Sequence, residues 1–570
     1  ADSFFDALQR GLFTFASWDD FARGAVQAYS FRAGDSVREN RVKNFYSFFQ
    51  DDWRVRRNLT LNLGVRMEWA GGPTEANGRT SNLNLDNRNP IGAAGAGRFG
   101  ILEQGKPSFQ SNTNWAPRVG FSWSPGSSNR WVVRGGYGIA YDFVFLNPIT
   151  NQRFLPPLII TGTLTGAASF AGDNSYANMV AGNSRLHAET RAQVGQLSTT
   201  VLNYGTISPA IDEGLDNPQV QQWNFGVQRE AFGLIFKAAY VGTKGNYLPR
   251  TQSINLIADP PAPATSLADE TARLSQFTSA FAASSGGATR YSNRIDPRYN
   301  EINYVNSSAN SNYHSAQFEI QRYLTGGLMF NVAYTVGKSI DDNSDVLGVL
   351  INDSASQQHP LNNRDNRGPS QFDLPQRLVI THNWVTPWGK GSSSRLVRLL
   401  LSQWGFAGVS SFRSGFPVNL DTGARRGVRA LTMTGIVNGP VRPNASGPVA
   451  LQPRPAGSAG APFGLNDDPV SRISTYAASL GLSQPLLGNY GTLGRNRLRL
   501  NGETNFDWSV YKNFSVAEGR YFQVQAQFIN AFNNTSFQTM DLTINSPTVG
   551  QYLTTVNNGR FIQLGARFVF

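Results

Sequence analysis

The sequence predicts an all-β fold: a transmembrane antiparallel β-barrel of the outer-membrane type with long extracellular loops. Three observations predict it. Apolar and polar residues alternate over segments of about ten residues, tight and long connections alternate between those segments, and the apolar runs are too short for a membrane-spanning helix. A tilted strand that crosses a membrane needs ~9 to 11 residues, whereas strands of soluble proteins average ~5 to 6. Segment length therefore favours the membrane.

The composition agrees with this class. Among 570 residues there are 57 glycines, 12% aromatic residues and 15% charged residues. The chain has no cysteine, which excludes disulfides and thiolate chemistry. Its formal charge of +12 comes from Arg and Lys scattered singly along the chain. We therefore expect a surface that faces anionic lipid or lipopolysaccharide, and no nucleic-acid partner.

Alternation of apolar and polar residues places side chains on opposite faces of a strand. It runs from Leu59 to Trp69 without exception and recurs in Ala316–Gln321 and Phe522–Phe528. A membrane barrel turns its apolar face to lipid and its polar face to a wet lumen. We therefore predict eight lumen-facing residues: Arg66, Glu68, Gln317, Glu319, Gln321, Gln523, Gln525 and Gln527.

Connection lengths support this interpretation, because such barrels have tight turns on the periplasmic side and long loops outside. A short alternating segment at Gly11–Ser17 would raise the strand count to about fourteen, the even number expected of these barrels. Thirteen longer strands are predicted: Asn44–Val55, Leu59–Trp69, Trp115–Ser124, Trp131–Asp142, Val220–Glu230, Leu234–Lys244, Tyr313–Tyr323, Leu328–Lys338, Arg377–Val385, Trp404–Ser414, Thr504–Phe514, Arg520–Phe532 and Gly559–Phe570.

Several of these segments resemble the barrel of TonB-dependent transporters, specifically the Oar-like group. The C-terminal residues Gly565–Phe570 are similar to outer-membrane assembly signals, in which Phe568 and Phe570 would be read by the barrel assembly machinery. The other matching segments are Gln50–Val55 running into Leu59–Arg66, Ala116–Phe121, Arg134–Gly138, Tyr334–Ser339 and Asn530–Asn533.

The resemblance implies a barrel of about 22 strands occluded by a plug. It also implies substrate-gated uptake of a siderophore, oligosaccharide or peptide, driven by a TonB-type energy transducer through that plug. We expect residues 1–570 to be one partial barrel domain, with the plug and an N-terminal regulatory-like domain outside this chain. Two alternatives remain open: a passive porin, and a surface adhesin or export-associated barrel.

Other motifs predict no catalytic residue, cofactor or metal site, and the chain is not expected to be an enzyme. Gly95–Gly100 matches a dinucleotide-binding pattern but lacks the flanking strand and helix. The acidic residues Asp341, Asp342, Asp345 and Asp353 lack the register of a calcium loop, so a solvated loop is favoured. The histidines lack metal-ligand spacing and are expected at surface or lumen positions: His187, His314, His359 and His382.

Aromatic residues near strand ends predict girdles at the two lipid headgroup boundaries. A sharper alternative is that tyrosines in the long connections stack on a sugar or siderophore. The tyrosines in question are Tyr176, Tyr291, Tyr299 and Tyr476.

Overall fold

The computed structural model describes most of the chain. The described residues are 11–85, 101–126, 130–144, 146–165, 176–183, 185–192, 194, 207–257, 262–273, 275–276, 294–299, 301–345, 358–359, 362–422, 441–449, 475–546, 548–556 and 559–570.

One large antiparallel sheet dominates the structure, and we call its thirteen long strands the strand wall. Each strand pairs with those before and after it in the chain, so the sheet is a continuous meander. All thirteen predicted long strands are confirmed: β1 Asn44–Arg56, β2 Leu59–Ala70, β3 Asn112–Trp123, β4 Trp131–Tyr141, β5 Gln219–Ala231, β6 Leu234–Ser253, β7 Ile302–Thr325, β8 Leu328–Asp341, β9 Gln376–Val385, β10 Trp404–Arg413, β11 Glu503–Ala517, β12 Arg520–Ile529 and β13 Phe561–Val569.

Tight turns join alternate strand pairs at one rim of the wall. Phe232 and Gly233 have φ of 56° and 69°, and Gly326 and Gly327 have φ of 62° and 83°. Two successive residues with positive φ form the turn whose twist matches that of a hairpin. Apart from residues 386–403 between β9 and β10, the long connections therefore lie at the other rim.

Strands β6 and β7 extend well beyond their predicted ends. Their pairing continues past Gly245 and Ser311 as far as Ser253 and Asn303. The added part of β7 is rich in Asn and Ser and shows no alternation. A strand outside the membrane has no lipid-facing side, so the signal that identifies a membrane strand ends there while the pairing does not.

Short strands and helices occupy the connections. Two short strands, Ile207–Ile211 and Gly368–Pro369, join the large sheet and bring it to 15 strands. The remaining short strands are Leu12–Thr14, Ala28–Gly34, Asn40–Arg41, Thr74–Glu75, Ser81–Asn84, Ile101–Gln104, Ile159–Thr165, Pro417–Val418, Asn444–Ala445, Leu482–Ser483, Leu498–Arg499, Phe537–Met540 and Tyr552–Thr555. Helices in the described residues include Trp18–Ala22, Leu146–Asn151, Tyr176–Val180, Arg185–Ala192, Arg395–Leu401 and Thr475–Ser479, with a 3-10 turn at Gln152–Phe154.

The segment Gly11–Ser17 does not add a strand to the wall. Its residues Leu12–Thr14 pair with Ala28–Gly34, which also pairs with Ile159–Thr165, in a separate three-stranded sheet. Three residues are too few to cross a membrane. Within the described ranges, no helix is both long and apolar enough to cross a membrane.

The buried apolar clusters lie in the long connections and not behind the strand wall. We call these connections, together with residues 11–43, the loop layer. Its largest cluster joins the β10–β11 connection to the β12–β13 connection through residues such as Leu420, Ile544 and Tyr552. A second joins the β2–β3, β4–β5 and β6–β7 connections through Leu83, Ile207 and Tyr299. The loop layer is therefore folded against itself.

Candidate functional site

Strand pairing sorts the residues of the wall into two faces, because directly paired residues of an antiparallel sheet point to the same side. One face pairs Leu63 with Val119 and Phe522 with Phe568. The other pairs Lys237 with Glu319. Following the partners from strand to strand places all eight polar residues predicted for the lumen on this second face, the polar face. Their orientation towards a lumen remains a prediction.

A charged cluster occupies the middle of the polar face. Lys237 Nζ lies 3.1 Å from Glu319 Oε2 and 3.5 Å from Gln321 Oε1. On the same strand as Glu319, Gln317 Nε2 donates to Ser315 Oγ at 3.4 Å. Apart from the buried Ser315, these side chains are partly exposed, so they bind one another and still present polar groups to water. The cluster can contact a polar solute.

Near the long-connection end of β2, Arg66 and Glu68 form a second polar group. Arg66 Nε lies 2.7 Å from Glu68 Oε1. The Arg66 guanidinium also lies over the Tyr46 ring, 4.9 Å from its centre. Ion pairing and ring stacking together hold this arginine against the sheet.

The three glutamines of β12 form a row on the polar face. Gln523 is buried, and its Nε2 donates to Asn513 Oδ1 at 2.8 Å. Gln525 lies over Gly565, where an added Cβ would come within 3.2 Å of Nε2, so glycine leaves room for the amide. Gln527 pairs with Ser509 and Gln563, which continues the row onto both neighbouring strands.

The opposite face of the wall is apolar and exposed. Phe318 is 47% exposed and Leu564 is 78% exposed, values far above those of a soluble core. Aromatic rings cluster near both ends of the strands, with Trp508 5.2 Å from Phe532 at one end and Trp384 5.4 Å from Trp388 at the other. Such rings favour the two lipid headgroup boundaries. The arrangement is that of a wall solvated by lipid.

The C-terminal aromatic residues lie at the tight-turn rim. Phe568 is paired with Phe522 on the apolar face, and Phe570 follows the end of β13 with 93% of its surface exposed. Their ring centres are 6.1 Å apart. Both rings are therefore accessible, as recognition by an assembly factor would require, and this role remains a prediction.

Buried ion pairs hold the loop layer together above strands β6 to β11. Arg250 lies 2.6 Å from Asp342, and Arg495 lies 2.6 Å from Asp341. Arg499 pairs with Asp373, whose Oδ1 also accepts from the backbone N–H of Ser339 at 2.6 Å. Arg442 pairs with Asp365 at 2.8 Å. Arg442, Arg495 and Arg499 thus fasten the β10–β11 connection to the end of β8 and to the β8–β9 connection.

Two of the acidic residues considered for calcium therefore have another role. Asp341 is 1% exposed and Asp342 is 8% exposed, so neither belongs to a solvated loop as expected. The buried arginine charges compensate their desolvation. Asp353 and Gly95–Gly100 lie outside the described residues. Among the residues that the structure describes, no group of three or more His, Asp or Glu side chains could hold a metal ion.

The histidines lie at four unrelated places. His187 is buried against Tyr29 and stacks on Phe31 with 3.7 Å between ring centres. Burial and the nearby Arg191 lower the pKa of His187, and burial raises the pKa of Tyr29 to about 12, so both are neutral near pH 7. On the apolar face, His314 bonds Tyr240 and His382 meets Trp508, whereas His359 stacks on Tyr490 in the loop layer. The burial of His187 differs from the surface or lumen position expected.

Among the tyrosines considered for ligand stacking, Tyr299 is 1% exposed and belongs to a buried cluster, so it offers no free ring. Tyr176 is exposed, with its ring edge against Phe13 at 5.0 Å. Tyr291 lies outside the described residues, and Tyr476 lies in the helix Thr475–Ser479.

Sequence reasoning missed the arginines of the loop layer and the helix at Arg395–Leu401. A signal existed for the first: Arg495, Arg497 and Arg499 alternate with uncharged residues, as in a strand with one charged side. The signal for the helix was a run of five apolar residues among seven, in a connection longer than the other turns at the same rim.

An exposed apolar face, aromatic ends and a polar reverse face define the class: an outer-membrane β-barrel. The family model of the outer membrane beta barrel domain matches residues 1–563. The chain belongs to this family, which places it in the outer membrane of Gram-negative bacteria.

Solved structures of similar fold include the outer membrane transporter YddB from Escherichia coli, with 12% identity over 93% of this chain and 45% of that chain and a TM-score of 0.43. The siderophore receptor PiuA from Acinetobacter baumannii is 9% identical over 95% of this chain and 44% of that chain, with a TM-score of 0.38. The ferripyoverdine receptor of Pseudomonas aeruginosa is 9% identical over 94% of this chain and 39% of that chain, with a TM-score of 0.37. The chain thus spans less than half the length of these proteins. No curated protein matches it.

Proposed function

We propose that this chain is the barrel portion of a TonB-dependent transporter. In this proposal the loop layer captures a ligand, a plug that belongs to the whole protein moves aside, and the ligand passes along the polar face. No covalent bond is made or broken. The observation that carries the proposal is a polar face that continues through all the long strands beneath a folded loop layer.

One feature of each face of the wall supports transport. The first concerns the polar face. Its side chains are mostly half-buried and bound to one another, as Lys237, Glu319 and Gln321 are, so they keep defined positions in a wet space. The opposite face supplies the apolar surface that lipid requires. Motifs that resemble TonB-dependent transporters run through the same strands, including Gln50–Val55 and Tyr334–Ser339.

The substrate would be a siderophore, an oligosaccharide or a peptide, and the energy would come from a TonB-type transducer acting on the plug. Further partners in this proposal are lipopolysaccharide and phospholipid around the wall, and the barrel assembly machinery at Phe568 and Phe570. A folded loop layer with its own cores and buried ion pairs also favours a second candidate, a surface adhesin, because it could present a fixed binding surface without uptake.

The test uses bacteria that produce the whole protein containing this barrel. Labelled ferric siderophores, oligosaccharides and peptides are offered with the energy transducer present or deleted, and surface binding is measured separately from accumulation inside the cell. We expect one class to bind in both strains and to accumulate only where the transducer is present. Accumulation in both strains would instead indicate a porin, and binding with no accumulation in either would indicate an adhesin.

A further inference from the structure

The connection between β9 and β10 differs from the other turns at its rim. Residues 57–58, 232–233, 326–327 and 518–519 join their strands in two residues each, and residues 124–130 join β3 to β4 in seven. Between β9 and β10, by contrast, residues 386–403 intervene. Two residues are sufficient for a hairpin. The additional residues of this connection therefore do something other than join strands.

The connection contains a short helix, Arg395–Leu401, which we call the rim helix. Ser394 caps it by accepting from the backbone N–H of Val397 at 3.4 Å. None of its residues is buried. The helical repeat places Arg395 and Arg398 on one side and Leu396, Val397 and Leu400 on the other, with Leu399 and Leu401 at the two boundaries beside the arginines. Four leucines remain widely exposed: Leu396 65%, Leu399 48%, Leu400 53% and Leu401 50%.

Contacts place the rim helix beside the apolar face of the wall. Trp404, which lies on that face at the start of β10, donates its Nε1 hydrogen to the carbonyl of Leu400 at 2.9 Å. A Cβ on Gly389 would lie 3.1 Å from Leu401 Cβ, so the helix packs closely on the turn before it. In that turn, the Trp388 ring is 5.4 Å from Trp384, another side chain of the apolar face. The exposed leucines thus extend the surface that faces lipid.

The charges of this connection favour an anionic surface. Lys390, Arg395 and Arg398 are exposed, and residues 386–403 contain no Asp or Glu. Amphipathic helices with basic residues beside an apolar side lie in the plane of a membrane at the boundary between headgroups and acyl chains. Basic side chains there attract anionic lipid headgroups.

We infer that the rim helix is an interfacial anchor in the periplasmic leaflet. Its leucines insert among the acyl chains next to the wall, and Lys390 and Arg395 bind the phosphates of anionic phospholipids. Arg398 holds the preceding turn by donating to the carbonyls of Ser392 and Ser393. The anchor is independent of the transport proposed above, because it requires only that the wall span the outer membrane.

The absence of cysteine permits a direct test, since each introduced cysteine is the only labelling site. The full chain is refolded into vesicles of phosphatidylethanolamine and phosphatidylglycerol, and bimane is attached to Leu399→Cys or Leu396→Cys. The matched control is Glu518→Cys, an exposed residue in a two-residue turn at the same rim. Leu564→Cys, on the apolar face, verifies that the wall has inserted.

We expect spin-labelled lipid to quench bimane at Leu399 and Leu396 several-fold more than at Glu518, and aqueous iodide to show the reverse order. If iodide quenched the rim-helix labels as strongly as the label at Glu518, while Leu564 remained quenched by lipid, the anchor would be refuted. That outcome would leave the leucines free for a periplasmic protein.

A charge variant tests the headgroup contact. Lys390→Gln with Arg395→Gln, in the Leu399→Cys background, should lower quenching by lipid in vesicles that contain phosphatidylglycerol to the level seen in pure phosphatidylcholine. Equal quenching of the parent in both kinds of vesicle would contradict binding of anionic lipid.

Discussion

The strand wall exposes the same types of apolar side chain that the loop layer buries. In the wall, Leu564 and Ile562 are 78% and 50% exposed, whereas Leu420 and Ile544 of the loop layer are completely buried. One region is built for lipid as its solvent and the other for water. Whether an apolar residue of this chain is buried or faces lipid therefore depends on the region in which it lies.

Charges differ between the two regions in the same sense. The side chains of Lys237 and Glu319, in the membrane-spanning part of the wall, are 37% and 29% exposed. Those of Arg250, in the extension of β6 that packs on the loop layer, and Asp342, at the start of the β8–β9 connection, are 0% and 10% exposed. Water screens the first pair and is excluded from the second. Loss of one partner should therefore matter far more in the loop layer.

The largest effect is expected for Arg250→Met. It leaves Asp342 buried without a compensating charge, which typically costs ~3 to 5 kcal/mol. We expect proteolysis to cut the β6–β7 and β8–β9 connections while circular dichroism shows an unchanged wall. Arg273→Met is the matched control, because its pair with Asp269 is more exposed and should contribute little to stability. Equal cleavage of both variants would contradict the comparison.

Replacing one isoleucine in each region compares how much apolar side chains stabilise the loop layer and the wall. Ile544→Ala removes a fully buried side chain and should destabilise the loop layer by ~2 to 5 kcal/mol, whereas Ile562→Ala on the apolar face should cost about 1 kcal/mol or less. Hydrogen exchange measures the first, and urea unfolding in vesicles measures the second. A larger loss at Ile562 would show that the wall also depends on close packing.

Neighbouring residues of β7 test the two faces. Phe318→Arg places a charge on the apolar face near the middle of the strand, where it should cost ~2 to 4 kcal/mol. Gln317→Arg, one residue away on the polar face, should change stability by ~0.5 kcal/mol or less. Urea unfolding in lipid vesicles distinguishes them. Equal costs would mean that the face containing Gln317 also contacts lipid.

The smallest effect is expected for the pair of Lys237 and Glu319. A double-mutant cycle with Lys237→Gln and Glu319→Gln should give a coupling of ~0 to 1 kcal/mol, since both side chains reach water. A coupling above 2 kcal/mol would show that water is excluded from this part of the polar face.

The sequence predicted the wall far better than the loop layer. Alternation is a local property, so Leu59–Trp69 revealed both the strand and its faces. The ion pair between Arg495 and Asp341 joins residues 154 positions apart, and no local pattern connects them. Alternation alone also does not tell which sheet a strand joins. The short alternating strand Leu12–Thr14 belongs to a small sheet in the loop layer and not to the wall.

The predicted end of β12 was wrong by three residues, although the sequence contains a local signal for the true end. At β12 the predicted end was Phe532, whereas pairing stops at Ile529 and Asn530 follows with a φ of 50°. Asparagine is among the few residues that accept this conformation readily, so Asn530 marked the end more precisely than the aromatic Phe532 did.

The extension of β6 and β7 carries paired backbone well beyond the part of the wall that crosses the membrane. Pairing beyond Gly245 and Ser311 adds about eight residues per strand, or on the order of 25 Å of height. This part ends in a hydrogen-bonded ladder whose far side is covered by Ile207–Ile211. Proteases need backbone that can leave its sheet partners. We therefore expect proteases to cut this extension more slowly than the unpaired segments of the loop layer.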